Sequence, residues 1–151
     1  MTLHAIRMAT GRDASEIARL LTLLGHPTAA ASIVARWQEW IAAGNSGLVA
    51  PGAEGTLAGV ATLHQMTVLH RPLPVGRITA LVVDATMRGR GVGTALVAAA
   101  EAALLGSGCG WLEITSNARL AAAHAFYERL GYERTSVRLV KLLGPAKPEE
   151  S

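Results

Sequence analysis

The chain has one cysteine, Cys109, in 151 residues. An internal disulfide and a cysteine-built metal cluster are therefore excluded. Its place in "GSGCGW", ahead of an apolar run, suits a small buried filler better than a nucleophile. Aromatic residues are also scarce, at 4%, so the expected core is aliphatic. Charged residues make up only 17%, and no lysine precedes Lys141. The basic side is thus almost all arginine, whose planar fork suits phosphate and carboxylate. The net charge of +3 comes from 14 Lys+Arg against 11 Asp+Glu. It is small and dispersed, with no basic stripe of the kind nucleic acid requires. No apolar stretch approaches ~18 residues without polar interruption, and no basic start leads into a long apolar run. The expectation is a cytoplasmic, soluble protein with neither nucleic acid nor membrane as partner.

What is present fits one folded domain over residues 1–143, followed by a flexible tail at 144–151, "GPAKPEES". Half of the residues are apolar, enough for a sizeable core. "LHAIRMAT" reads as a first strand. "GRDASEIARLLTLLG" reads as a helix capped by Asp13 or Ser15, with Ile17, Leu20, Leu21 and Leu24 at helical spacing. A second helix is expected from Thr28 to Ala43. "SGLVAPG" and "GTLAGVATLHQMTVL" read as strands joined by a turn, and the two prolines of "HRPLPVG" mark a loop. "RITALVVD" is a strand, "TALVAAAEAALLG" a helix closed by Gly106, and "GWLEITS" another strand. "RLAAAHAFYERLG" is a last helix with Gly131 as its left-handed cap, and "YERTSVRLVKLL" adds one or two strands. The order predicts an α/β fold, a mixed central sheet with helices on both faces.

The stretch Arg88-Gly89-Arg90-Gly91-Val92-Gly93 stands between the strand ending in "VVD" and a helix. Backbone N–H groups at a helix start lack internal partners, and the helix dipole adds partial positive charge. Glycines let several such groups converge on one anion, so a phosphate or pyrophosphate is the natural occupant, with Arg88 and Arg90 adding charge. A Walker A loop is excluded, because Thr94 follows Gly93 without a lysine. A dinucleotide fingerprint is excluded too, because its third glycine falls on Thr94 and no acidic ribose partner follows at the required spacing.

The pattern R-x-x-G-x-G after an apolar strand resembles the acetyl-CoA-binding motif of the GCN5-related N-acetyltransferase (GNAT) superfamily. "EITSN" followed by "AHAFYERLGY" resembles that family's second cofactor motif, and the resemblance covers nearly the whole chain. It implies a single-domain acetyltransferase fold that uses acetyl-CoA as cosubstrate and no metal. It implies that Leu81, Val82 and Val83 line the pantetheine arm with their backbone. Arg88 to Gly93, with Val92 among them and Thr94 opening the helix, would hold the pyrophosphate. Asn117 would bond the cofactor arm, although a plain helix cap explains it equally well. Ala123 and Phe126 would lie against the cofactor, and Tyr127 would be the general acid. A phenol of pKa ~10 stays protonated near neutrality and can protonate a departing thiolate.

The general base is less plain in the sequence. The cofactor strand has no carboxylate before Asp84, which reads as a turn cap. Glu113 is the best-placed carboxylate, on a strand face with Trp111 and Thr115, opposite Leu112 and Ile114. His64 and His70 are the other candidates, whereas His124 reads as a surface partner of Glu128. Acceptor sites in the family are built by segments that here carry Arg36, His70, Arg71, Arg77 and Arg138 against few acids. That balance argues against polycationic acceptors and for a small amine that also carries a carboxylate or phosphonate. A protein N-terminus or lysine as acceptor, and a non-catalytic acyl-CoA-binding module, are the competing readings. The resemblance also allows a homodimer, to which Trp37, Trp40 and "VRLVKLL" would contribute unless they belong to the core.

Overall fold

The computed structural model describes residues 5–115 and 121–144, which fall within two compact units, 1–115 and 116–151. The first unit is built on a sheet of five strands in chain order: β1 Arg7–Met8, β2 Asn45–Pro51, β3 Leu57–Met66, β4 Val75–Val83 and β5 Trp111–Ile114. The first four are antiparallel neighbours, and β5 joins β4 in parallel. The parallel pairing requires a crossover, and α3, Val92–Gly106, supplies it. The expected mixed sheet is present, with helices on both faces.

One face is covered by α1, Ala14–Leu24, and α2, Ala30–Ala42. Ile17 and Leu20 of α1 pack on Val49, Val60 and Val82, one residue from each of three adjacent strands, with Ile33 and Trp37 of α2 at the border. The opposite face carries α3, whose Val92, Leu96, Val97, Ala100 and Leu104 recur at helical spacing and are all buried. The helix lies close because β3 and β4 present glycines beneath it. A Cβ on Gly59 would stand 2.9 Å from Leu96 and 3.1 Å from Val92, and one on Gly76 would stand 2.8 Å from Leu104. Leu20, Leu63, Ile78 and Leu96 are fully buried, each worth roughly 1.5–3 kcal/mol on the transfer scale. Cys109 is buried and free, as expected of a filler.

Three local details differ from the sequence expectation. Asp13 does not cap α1 with its side chain. Its carboxylate turns back to accept from the Thr10 backbone N–H at 2.8 Å and from both terminal nitrogens of Arg7 at 2.8 and 2.9 Å. The 3-10 turn Gly11–Asp13 that this closes precedes the helix. Gly106 is the last residue of α3 rather than its stop, and the left-handed residue is Gly108, at φ 95°. In the second unit, α4 spans Ala121–Arg129 and Gly131 is left-handed, as predicted. However, the described residues after Gly131 contain no strand. Val137, Leu139 and Val140 are 77–90% exposed. A β-prone segment becomes a strand only when a neighbour completes its ladder, and none does among the described residues. The core explanation for "VRLVKLL" therefore fails, whereas Trp37 does pack on the core.

Asp13 makes stability depend on acid. The Arg7 hydrogen bonds hold its carboxyl below the usual carboxylate range against the opposing effect of burial. A folded-state value below the unfolded one contributes stability that is complete above the ordinary carboxylate range. That contribution is lost as pH falls through the folded value. Urea midpoints of wild type and Asp13→Asn, measured from pH 7 downward, are expected to differ at neutrality and to converge in acid. A constant difference at every pH would contradict this account.

Candidate active site

At the end of β4 the chain passes through a 3-10 turn, Ala85–Met87, into Arg88–Gly91 and then α3. Gly89 and Gly91 sit at φ 77° and 81°, where a Cβ is disfavoured. A Cβ built on either would meet nothing within 4 Å, so the space over the loop is open. Gly91 is the helix's N-cap and uses no side chain there, leaving first-turn N–H groups to the open side. Arg88, Gly89, Arg90 and Thr94 are exposed, Gly93 is half-buried and Val92 is packed beneath.

The turn is tethered at its root. Asp84 accepts from the Thr86 backbone N–H and pairs with Arg19 at 3.0 Å. Both contacts hold its carboxyl below the usual range, the Thr86 bond foremost. Arg19 also donates to Glu16 and to the Leu57 carbonyl, while Glu16 accepts from the Leu57 N–H at 2.8 Å. Asp84 is thus a turn cap, as the sequence suggested, and the loop's base is fixed to both α1 and β3.

β4 itself is irregular. Thr62 pairs with Ala80 but Leu63 pairs with Ile78, so Thr79 is an extra residue, a β-bulge. On the other side the parallel ladder with β5 stops at Ile78–Ile114. From the bulge to Val83, β4 keeps β3 on one edge and has no strand on the other among the described residues. Leu81, Val82 and Val83 lie in this half. Val82 belongs to the core beneath α1, so it is the backbone of the segment, not that side chain, that is left for a ligand.

The bulge also divides the α1–α2 face of the sheet. Val49, Val60 and Val82 occupy one end, under the helices. At the other end the register aligns Asn45, His64, Arg77 and Glu113 across four strands. Thr62 and Thr79 meet beside them, their hydroxyls 2.7 Å apart. Arg77 donates from Nη2 to Glu113 Oε1 at 2.9 Å. The two side chains are 38% and 40% exposed, and the Nε of Arg77 is buried without a hydrogen-bond partner. Trp111 lies on the same face as Glu113, with the Arg71 guanidinium 4.3 Å from its ring centroid. Glu113, proposed from sequence as the base, is therefore not an isolated carboxylate but half of an ion pair. Arg77 had been noted only as one of several arginines. An open cleft of about 570 Å³ lies elsewhere on this unit, lined by Thr10, Gly11, Arg12, Val34, Trp37 and Gln38.

In the second unit Tyr127 meets Phe126 edge-on at 5.3 Å and Tyr132 at 6.2 Å. Burial pushes its phenol up. Ala123, also proposed for the cofactor, is half-buried one turn earlier. Glu128 pairs with Arg134 at 3.0 Å, so the expected pairing with His124 is replaced by one across the Gly131 turn. Asn117 lies outside the described residues.

Residues 14–132 match the family described as Acetyltransferase (GNAT) family. The chain belongs to that family. An aminoalkylphosphonate N-acetyltransferase of Salmonella typhimurium is 36% identical over 89 residues, 59% of this chain and 58% of that relative. This GNAT chain therefore aligns with little more than half the length of that curated relative. Among solved structures, a Trypanosoma brucei acetyltransferase superposes with a TM-score of 0.80 at 25% identity, over 92% of this chain and 99% of that one. Glucosamine-6-phosphate N-acetyltransferase of Arabidopsis thaliana has the same fold, with a TM-score of 0.79 at 20% identity over 95% and 100% of the two chains. Among the described residues no group of His, Cys, Asp or Glu is arranged to hold a metal, and no helix is long and apolar enough to cross a membrane.

Proposed function

We propose that this GNAT-family chain transfers the acetyl group of acetyl-CoA to the primary amine of a small molecule. The observation that carries this reading is the juxtaposition in the first unit. A glycine loop open above its two left-handed residues follows, after one 3-10 turn, on a half-strand with one edge unpaired among the described residues. Those two features fit the two chemically distinct parts of the cosubstrate. The loop's N–H groups with Arg88 and Arg90 suit a pyrophosphate, and the unpaired backbone of Leu81 to Val83 suits an amide-bearing arm. Acetyl-CoA supplies the acetyl group already activated as a thioester.

The chain's own residues then have two proton tasks. Glu113 takes the proton that the attacking nitrogen must lose, and the hydroxyl of Tyr127 gives one to the departing sulfur. A backbone N–H of the unpaired half-strand, around Val83, polarises the carbonyl oxygen. Asn117, Ala123 and Phe126 are proposed to border the arm, on the family pattern. The curated relative's acceptor class, an amine bearing a phosphonate, supports a small acceptor and agrees with the excess of arginine over acid in the acceptor segments.

The test is release of free thiol from acetyl-CoA with amino acids, aminophosphonates, polyamines, aminoglycosides and short peptides. Release with one class of small amine is the expected result. Release with peptides alone would move the acceptor to a protein. Binding of CoA without release from any amine would leave an acyl-CoA-binding module.

A further inference from the structure

The polar end of the α1–α2 face remains after the cosubstrate's share of the site is assigned. A sheet face that is apolar under its helices ends in Thr62, His64, Arg77, Thr79 and Glu113, brought together from three strands beside the bulge. Placing these groups together gives up apolar burial, so a structural role should leave them mutually satisfied. They are not. Arg77 holds Glu113 through one nitrogen, its Nε has no acceptor, and the imidazole of His64, which faces Arg77 across the strand pair, takes part in no hydrogen bond among the described residues. Both members of the pair remain more than a third exposed, so a solute can reach them.

We infer that the Arg77–Glu113 pair is the recognition site for an acceptor that carries both an amine and an acid group, with Arg77 the residue that selects the acid. This rests on the reading of the chain as an N-acetyltransferase. Such a molecule presents the charges of the pair in reverse. Its phosphonate or carboxylate takes Glu113's place on Arg77, satisfying the guanidinium donors that Glu113 leaves over. Its amine meets the carboxylate thus released, where the proton must go. His64, directly across the strand pair from Arg77, adds a second donor to the acid group. The bulge at Thr79 sets this exchange at the point where β4 loses its parallel neighbour, next to the backbone proposed to hold the arm. Selection follows from the same arrangement: an alkylamine without an acid group offers Arg77 no replacement for Glu113, and a polyamine meets the guanidinium with several like charges.

Calorimetry separates this inference from the reading beneath it. CoA is titrated first, which tests the cosubstrate site alone. With CoA saturating, 2-aminoethylphosphonate, methylphosphonate and propylamine are then titrated into wild type, Arg77→Gln, Arg77→Lys and Glu113→Gln. Arg77→Gln is expected to weaken both phosphonates about 10- to 100-fold, the loss of a charged hydrogen bond, and to hold propylamine at least as tightly as wild type, because the competing guanidinium is gone. Arg77→Lys should recover part of the affinity and, by keeping the charge, serves if the glutamine variant does not fold. Glu113→Gln should hold methylphosphonate at least as tightly as wild type, because the competing carboxylate is gone. A merely structural pair would weaken it equally in Glu113→Gln and Arg77→Gln, and that result overturns the inference. So does CoA binding with no phosphonate binding, which leaves the proposed function standing. Phosphonate binding without CoA binding would do the reverse.

Discussion

Tyr127→Phe is expected to slow acetyl transfer at saturating substrate by about 10²- to 10⁴-fold, the usual contribution of a positioned general acid, with little change in CoA affinity. The substitution removes one oxygen and keeps the ring that packs on Phe126 and Tyr132. Because that hydroxyl has no hydrogen-bond partner among the described residues, its loss should barely move the melting temperature, and the rate change reports chemistry rather than unfolding. The pH profile adds a second readout. Burial raises the Tyr127 pKa, so the phenol stays protonated beyond the ordinary value of ~10. Any fall in rate that comes from its ionisation therefore lies above that value in wild type and is absent from the phenylalanine enzyme. Equal rates for the two proteins would remove Tyr127 as the acid and leave the thiolate to depart without help from this residue.

The largest effect on stability is expected from a single methyl group. Gly59 lies in β3 opposite Val83 and under the first turn of α3. In Gly59→Ala the new Cβ would stand 2.9 Å from both the Leu96 side chain and the Val82 carbonyl oxygen. Leu96 can shift, but the carbonyl is part of the sheet, so the strands must part or the helix must lift. Overpacking of this kind costs about 1–3 kcal/mol, a large share of the roughly 5–15 kcal/mol that holds a domain together. Gly106→Ala is the control, since it lies in a helix with nothing within 4 Å of its Cβ. It should stabilise by roughly 0.5–1 kcal/mol. Urea unfolding of the two variants checks both signs, and equal, small changes would show that α3 is not packed as tightly as the geometry indicates.

Gly59, set beside the loop glycines Gly89 and Gly91, also shows what the sequence could and could not disclose. A left-handed turn at Gly89 and Gly91 is a local constraint, so the loop, its helix and the strand before it were legible from spacing alone. Gly59's role depends on a helix more than thirty residues later and left no mark beyond a glycine in a strand. The bulge was hidden for a similar reason. Thr79 sits in "RITALVV" as one more alternating residue, and only the register against Thr62 and Leu63 reveals it as extra. Glu113 was proposed by type and face, and its ion-pair partner was not foreseen, because Arg77 and Glu113 meet through strand pairing that spacing cannot encode. Where local rules misled, a competing contact took the group: Arg134 took Glu128 from His124, and Arg7 with Thr10 took Asp13 from α1. For "VRLVKLL" the strand propensity was real, but propensity supplies no partner.

The half-paired β4 has a consequence for how this protein behaves on the bench. Among the described residues, the sheet carries an edge in its interior rather than at its rim from Thr79 to Val83. An exposed edge is a template for another chain's strand, and among the described strands of the first unit it is the bulge that blunts this one. A ligand lying along it would act as a removable strand, coupling solubility to occupancy. At a cosubstrate concentration of about 100 times Kd, the folded state would gain roughly 2.7 kcal/mol by mass action alone. With acetyl-CoA as the proposed ligand, dialysis away from CoA would expose an adhesive seam, and the shelf life of the purified protein is expected to depend on how much CoA remains in the tube.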